Sequence, residues 1–162
     1  MKSALGSAAL LWITAVLQTT LVPRRWPLDL FLLLAALNAL RRPPARAAAE
    51  GMVVGLVQDF AAGGLLGVNA FSKALAAHWV AWPQRRFSGY PVPVGAVLVF
   101  TATLVERLAK LLLFAGLGVA TSGWNRSLVS LPALHALAAI LLLGLGGWAV
   151  ARSQRGSPLL VR

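Results

Sequence analysis

The chain has 162 residues, of which 59% are hydrophobic and only 12% are charged. Because soluble domains carry about 25% charged residues, this composition excludes an ordinary soluble domain and predicts one integral membrane domain over residues 1–162. The net charge of +11 comes from arginines in short groups between apolar segments, so it predicts membrane orientation and excludes nucleic acid as a partner.

Six apolar segments predict an all-α protein with six transmembrane helices. The first follows Lys2 and is longer than the apolar core of a secretory signal, so it is predicted as a helix that stays in the protein. The second and third are shorter than the roughly 20 residues that cross a bilayer, which predicts a depression on one face. The predicted bounds are about 4–22, 28–40, 47–60, 69–82, 92–118 and 131–150.

The positive charges between the helices predict the orientation of the chain. With six spans both termini lie on one side. That side holds nine basic residues and the opposite side three, so both termini are predicted to be cytoplasmic and the depression to open outward. The nine are Lys2, Arg41, Arg42, Arg46, Arg85, Arg86, Arg152, Arg155 and Arg162, and the three are Arg24, Arg25 and Arg126.

The segment 51–73 is unusual because it places polar side chains inside an apolar run. Gly51 and Gly55 share a helix face, which favours close approach of a neighbouring helix. The helix is predicted to end after Gln58 and Asp59, where glycines follow, and Asn69 is predicted to cap the next helix. The glycines of this segment are Gly51, Gly55, Gly63, Gly64 and Gly67.

The pattern G-x-x-x-G-L-x-Q-D-x-x-x-G-G-x-L-G-x-N-A over this segment, followed by Ser72 and Lys73, resembles the MreD family of bacterial rod-shape-determining membrane proteins. The resemblance implies a six-helix fold similar to the substrate-binding subunits of energy-coupling-factor transporters. It also implies a non-catalytic component of the cell-elongation complex in the bacterial inner membrane, which helps to direct side-wall peptidoglycan synthesis and rod shape.

The resemblance further implies the partners of the protein. These are MreC, through its transmembrane helix, and, directly or indirectly, MreB, RodA and the class B penicillin-binding protein. Membrane lipid is a further partner, and a homodimer is left open. The candidate surfaces for the MreC helix are the Gly51/Gly55 face and the glycines of the sixth helix, Gly144, Gly146 and Gly147.

Ionisable residues inside apolar segments are costly, so each needs a partner. Glu106 and Lys110 are four residues apart and are predicted to pair on one helix face. Lys73 and Arg107 are candidate partners for Asp59. These residues predict an intramembrane polar site bounded by Gln58, Asp59, Asn69, Lys73, Glu106, Arg107 and Lys110. Two interpretations are open: the pairs fix helix packing, or they form a ligand site.

The remaining polar residues have simpler interpretations. Asp29 and Glu50 are predicted as first-turn acids of their helices, and His78 and His135 as packing residues. No nucleophile is paired with a base at a recognisable spacing, and the sequence contains no phosphate-binding loop. We therefore predict no enzymatic activity, no metal site and no cofactor.

Two other functions are compatible with the sequence. A vitamin-binding subunit of an energy-coupling-factor transporter needs an outward depression, which Asp59, Lys73 and Arg107 would line. A flippase or channel subunit would need a continuous polar path. Identification of co-purifying proteins distinguishes these functions from the MreD-like one.

Overall fold

The computed structural model describes residues 2–20, 28–63, 65–83, 92–119 and 130–155. The surroundings of the side chains are described for those of these residues that lie between 9 and 145. This part of the chain forms six α-helices and no strand, which confirms the all-α prediction. They are α1 (Lys2–Thr20), α2 (Leu30–Ala39), α3 (Pro44–Ala62), α4 (Val68–Ala81), α5 (Val92–Gly116) and α6 (Ser130–Arg155). Within the described ranges, no helix is both long enough and apolar enough to cross a membrane.

The short helix α2 lies at the centre of the bundle and contacts each of the other five helices. Asp29 is the N-cap residue of α2 and has an extended backbone conformation. Its side chain accepts a hydrogen bond from Leu32 N at 2.9 Å. Because α2 contacts all five other helices, most of its side chains are buried. The buried residues are Phe31, Leu32, Leu33, Ala35, Ala36 and Ala39.

The third helix is longer than the sequence predicted. It was predicted over 47–60, but α3 runs for 19 residues from Pro44 to Ala62, a rise of about 28 Å. Proline fits the first helical position because the amide hydrogen that it lacks would have no partner there. At the other end, Gly63 adopts φ 62° and donates its N–H to Asp59 O. The second and third helices were both predicted to be short, but only α2, with 10 residues, is short.

Helices α3 and α4 form a tightly packed hairpin. A Cβ atom at Gly51 would lie 2.6 Å from Lys73 O and 2.9 Å from the Ala77 Cβ. At Gly55 it would collide with the backbone of Asn69 and Ala70. The glycines thus allow the two helix backbones to touch, as the small-residue spacing predicted, but their neighbour is α4 of the same chain.

The outer surface of the bundle carries many large apolar side chains. Trp12 on α1 is 70% exposed, and Phe60 at the end of α3 is 73% exposed. Leucines continue this surface along α5 and α6. Trp79 and Trp82 are also exposed and pack edge to face with ring centroids 6.3 Å apart. The apolar residues of the bundle thus lie both in its core and on its exterior.

Candidate functional site

A fully buried lysine joins three helices in the interior of the bundle. The Lys73 Nζ atom on α4 lies 2.7 Å from Asp29 Oδ2 at the start of α2 and 2.6 Å from Glu106 Oε1 on α5. Lys110 Nζ, one turn after Glu106, lies 2.7 Å from the same Oε1 atom. We call Asp29, Lys73, Glu106 and Lys110 the charge cluster. Its two acids and two bases balance, which makes their burial tolerable.

The Asp29 carboxylate is held by polar groups from three helices. Its Oδ1 accepts the capping hydrogen bond from Leu32 N, and its Oδ2 accepts hydrogen bonds from Lys73 Nζ and from Gln58 Nε2 at 3.1 Å. Gln18 of α1 fixes the adjacent backbone by accepting from Leu30 N at 2.7 Å and donating to Leu28 O at 3.1 Å. The position of this carboxylate is therefore set by both its own helix and its neighbours.

His135 on α6 extends the polar network. Asp29 N donates to its Nε2 atom at 2.9 Å, so Nε2 carries no hydrogen and the neutral imidazole has its hydrogen on Nδ1. That Nδ1 atom lies 3.3 Å from Thr103 Oγ1, whose own hydroxyl donates to Val99 O at 2.9 Å. A directed chain of hydrogen bonds therefore links α2, α6 and α5.

A cavity of about 280 Å³ lies beside the charge cluster. Its wall combines acids and bases with the His135–Thr103 pair and one leucine from the first turn of α6. Arg107 lies on this wall and is partly exposed. The lining residues are Asp29, Thr103, Glu106, Arg107, Lys110, Leu131 and His135. The arrangement can hold a small polar ligand.

Asp59 forms a different network at the α3–α4 junction. Its carboxylate accepts hydrogen bonds from Gly67 N at 2.8 Å, Asn69 Nδ2 at 2.8 Å, Asn69 N at 3.2 Å and Ala70 N at 3.3 Å. These amides lie at the beginning of α4, where free N–H groups and the helix dipole favour a negative charge. Asp59 therefore caps α4 from the neighbouring helix.

Several predicted roles are corrected by these contacts. Pairing of Asp59 with Lys73 was wrong, because Lys73 binds Asp29 and Glu106 while Asp59 binds the α4 amides. Asn69 is not the N-cap of α4: that position is Gly67, with φ 96°, and Asn69 donates its side-chain amide to Asp59. The predicted pair of Glu106 and Lys110 is confirmed.

The two predicted first-turn acids also differ from expectation. Glu50 lies beyond the first turn of α3, since that helix begins at Pro44, and it pairs with Arg42 at 3.3 Å and Arg46 at 3.2 Å. Asp29 precedes α2 as its cap and belongs to the charge cluster. His135 is buried as a packing residue would be, and His78 is exposed.

The polar residues predicted as one site therefore divide into two groups. Lys73, Glu106 and Lys110 belong to the charge cluster, Arg107 lies on the cavity wall, and Gln58 is connected through Asp29. Asp59 and Asn69 form the junction between α3 and α4.

The predicted glycines also differ in their surroundings. Gly51 and Gly55 are buried against α4, whereas Gly63 and Gly67 supply the positive φ angles of the connection. A Cβ atom at Gly144 would meet nothing within 4 Å. Gly64 lies outside the described residues, as do the side-chain surroundings of Gly146 and Gly147.

Sequence reasoning missed three members of the site: Asp29, Thr103 and His135. Asp29 has a usable signal, because an acid next to an apolar helix with no basic neighbour in the following turns needs a partner elsewhere. Thr103 lies one turn before Glu106 and so on the same helix face. His135 offers no such signal, since its partners come from distant parts of the chain.

Within the described residues, no group of three or more His, Cys, Asp and Glu side chains is placed to hold a metal ion. Comparison with known proteins finds no match among family models, curated proteins or solved structures.

Proposed function

We propose that the protein is a non-catalytic membrane component of the bacterial cell-elongation complex, similar to the MreD family, and that it binds the transmembrane helix of MreC. The observation that carries the proposal is the sequence resemblance over residues 51–73. In this role the protein helps to direct side-wall peptidoglycan synthesis from the inner membrane, in a complex that also includes MreB, RodA and the class B penicillin-binding protein.

The contacts of the motif give physical support to this resemblance. Gly55 allows α3 and α4 to touch, Gly63 and Gly67 supply positive φ angles, and Asp59 and Asn69 hydrogen-bond across the junction. Glycine is the residue type that close backbone approach and positive φ angles favour, and a carboxylate forms strong hydrogen bonds with free amides. The motif thus encodes one specific α3–α4 hairpin, and a fold similar to that of the energy-coupling-factor binding subunits is part of the proposal.

A membrane location is supported by where the apolar and charged side chains lie. Large apolar residues cover the exterior of α1, α5 and α6, which matches a lipid environment. The charged residues of α5 are grouped at the cavity: Glu106 is buried, and Arg107 and Lys110 line the wall while partly exposed. Grouping of ionisable residues at a cavity is typical of membrane proteins.

The surface proposed for the MreC helix is a stripe on α6. Leu137, Leu141 and Leu145 are 54%, 58% and 63% exposed, and their spacing of four residues places them on one helix face. Gly144 lies beside them with open space above its backbone. The alternative groove at Gly51 and Gly55 is filled by α4, so we assign the partner surface to α6.

Gly144→Leu tests this surface. In the proposed complex a leucine would hold the two helices apart, so we expect co-purification of MreC with the tagged protein in mild detergent to fall by about tenfold. The fold should be unaffected, because a Cβ atom at this position meets nothing within 4 Å. Quantitative mass spectrometry of the purified complex measures the change.

Gly116→Leu is the matched control, since a Cβ atom at this position in α5 also meets nothing within 4 Å. It should leave MreC recovery unchanged. Equal recovery with Gly144→Leu and wild type would reject the α6 surface. Recovery of an ATPase with a coupling subunit in place of MreC would reject the adaptor function and favour the vitamin-transporter alternative.

A further inference from the structure

We propose that the cavity beside the charge cluster binds a phosphodiester group with a single negative charge. The cavity has a volume of about 280 Å³, just below the roughly 300–1,000 Å³ of typical small-molecule pockets, and therefore suits a headgroup-sized ligand. This site is independent of the proposed partner surface on α6.

The formal charges on the cavity wall and directly behind it sum to +1. On the wall, the negative charges of Asp29 and Glu106 balance the positive charges of Arg107 and Lys110. Lys73, which does not line the cavity but pairs with both acids, adds one further positive charge. His135 adds none, because its Nε2 accepts the Asp29 N–H. A net charge of +1 beside this partly open cavity favours a monoanion over a neutral or cationic ligand.

The hydrogen-bonding capacity of the wall also favours an anion. The Asp29 carboxylate already accepts from Leu32, Gln58 and Lys73, and Glu106 Oε1 accepts from both lysines. Cations would therefore compete with existing ion pairs. The Lys110 ammonium, by contrast, has three donors, of which its pair with Glu106 uses one.

Two more features of the wall suit a phosphate group. The Arg107 guanidinium on the wall has the fork geometry that matches phosphate oxygens. Leu131, in the first turn of α6, brings the N-terminal end of that helix to the cavity, and its partial positive charge adds to the attraction for an anion. A phosphodiester can come from an anionic phospholipid or from a soluble molecule, and the two sources are separated by experiment.

The test uses the purified full-length protein in a nonionic detergent and native mass spectrometry. The probes are phosphatidylglycerol, zwitterionic phosphatidylcholine and soluble glycerophosphoglycerol, which shares the phosphodiester but has no acyl chains. We expect phosphatidylglycerol to bind about tenfold or more tightly than phosphatidylcholine, since only the former carries a net charge. If glycerophosphoglycerol binds as tightly as phosphatidylglycerol, the ligand is a soluble phosphodiester. If glycerophosphoglycerol does not bind, the ligand is a lipid. Both results support the site.

Two cavity variants and one control locate the binding. Arg107→Gln removes one positive charge, and Leu131→Trp places a larger side chain at the cavity without changing its charge. Each should weaken phosphatidylglycerol binding by about tenfold. Arg46→Gln removes an exposed cation that pairs with Glu50 and should bind as wild type.

Thermal unfolding followed by circular dichroism verifies that each variant is folded. If Arg107→Gln is not folded, phosphatidylglycerol binding by Leu131→Trp tests the proposal. The proposal is overturned by equal affinity for the two lipids, or by folded cavity variants that bind phosphatidylglycerol as tightly as wild type.

Discussion

Lys73 has two carboxylates as partners and no exposure to solvent. An ammonium in such a place is stable only while its hydrogen-bond partners are charged and correctly positioned. Because Asp29, Lys73 and Glu106 come from different helices, their ion pairs fix the relative positions of α2, α4 and α5. The residue thus has a structural function whatever the cavity binds.

Replacing Lys73 with Met is expected to lower the free energy of unfolding by about 3 kcal/mol or more, because Asp29 loses its only ion-pair partner among the described residues. Unfolding in denaturant, followed by circular dichroism in detergent, measures the loss. Arg46→Met is the control, since the Arg46 side chain is 62% exposed and its pair with Glu50 contributes little. Similar losses in the two variants would contradict a special role for Lys73.

For individual residues, the sequence predicted correctly which ionisable side chains need partners, but it predicted only some of those partners correctly. Glu106 and Lys110 were paired correctly because both lie on one helix, where spacing determines proximity. Asp59 was assigned a basic partner because the amides at the start of α4 are not visible as donors in a sequence. Which lysine meets which acid depends on helix packing, and that is set by all six helices together.

Among the described helices, α3 and α4 form the most extensive contact. Their separation is set by Gly51 and Gly55, where the backbone of α4 occupies the space of a side chain. A larger residue at either position is therefore expected to destabilise the hairpin itself, and not to act through a contact with a partner protein.

Gly55→Ala is expected to destabilise the protein by about 1–3 kcal/mol, because its methyl group collides with the backbone of Asn69 and Ala70. This loss outweighs the gain in helix propensity, which is about 1 kcal/mol for alanine over glycine. Gly144→Ala, with open space around it, should be neutral or slightly stabilising. Thermal unfolding of both variants tests the difference, and equal midpoints would contradict the close approach.

The helices themselves were predictable, and some of their ends were not. Six apolar segments predicted six helices, because an apolar run long enough for several turns has few other stable forms. The start of α3 was predicted at residue 47, three residues too late, because proline usually ends a helix; Pro44 instead suits a first helical position. Its end was placed too early because Asp59 was taken as a terminal residue rather than a buried cap for α4.

For the whole molecule, orientation is the property that charge distribution predicts most directly. The predicted cytoplasmic side holds nine basic residues against three outside. Half of these twelve residues lie outside the described part of the chain, namely Arg24, Arg25, Arg85, Arg86, Arg126 and Arg162. Orientation therefore stays a prediction that rests on the sequence.

The natural absence of cysteine makes this prediction simple to test with single-cysteine variants. Ser127→Cys, before α6, should react with a membrane-impermeant maleimide added to intact spheroplasts, whereas Ser153→Cys, near the end of α6, should react only after permeabilisation. The unsubstituted protein is the control for background labelling. A reversed pattern would contradict the orientation, and reaction of both positions from one side would contradict a membrane-spanning α6.

The shortness of α2 has an electrical consequence in the proposed membrane setting. Its 10 residues rise about 15 Å, half the thickness of the hydrocarbon layer, so Asp29 and the neighbouring cavity would lie near the middle of the transmembrane voltage drop. An anion that enters from outside would then cross about half of that field, at a cost of about 1 kcal/mol per 100 mV with the interior negative. Occupancy of the cavity would rise on depolarisation, which would make its ligand a reporter of the energised state of the membrane.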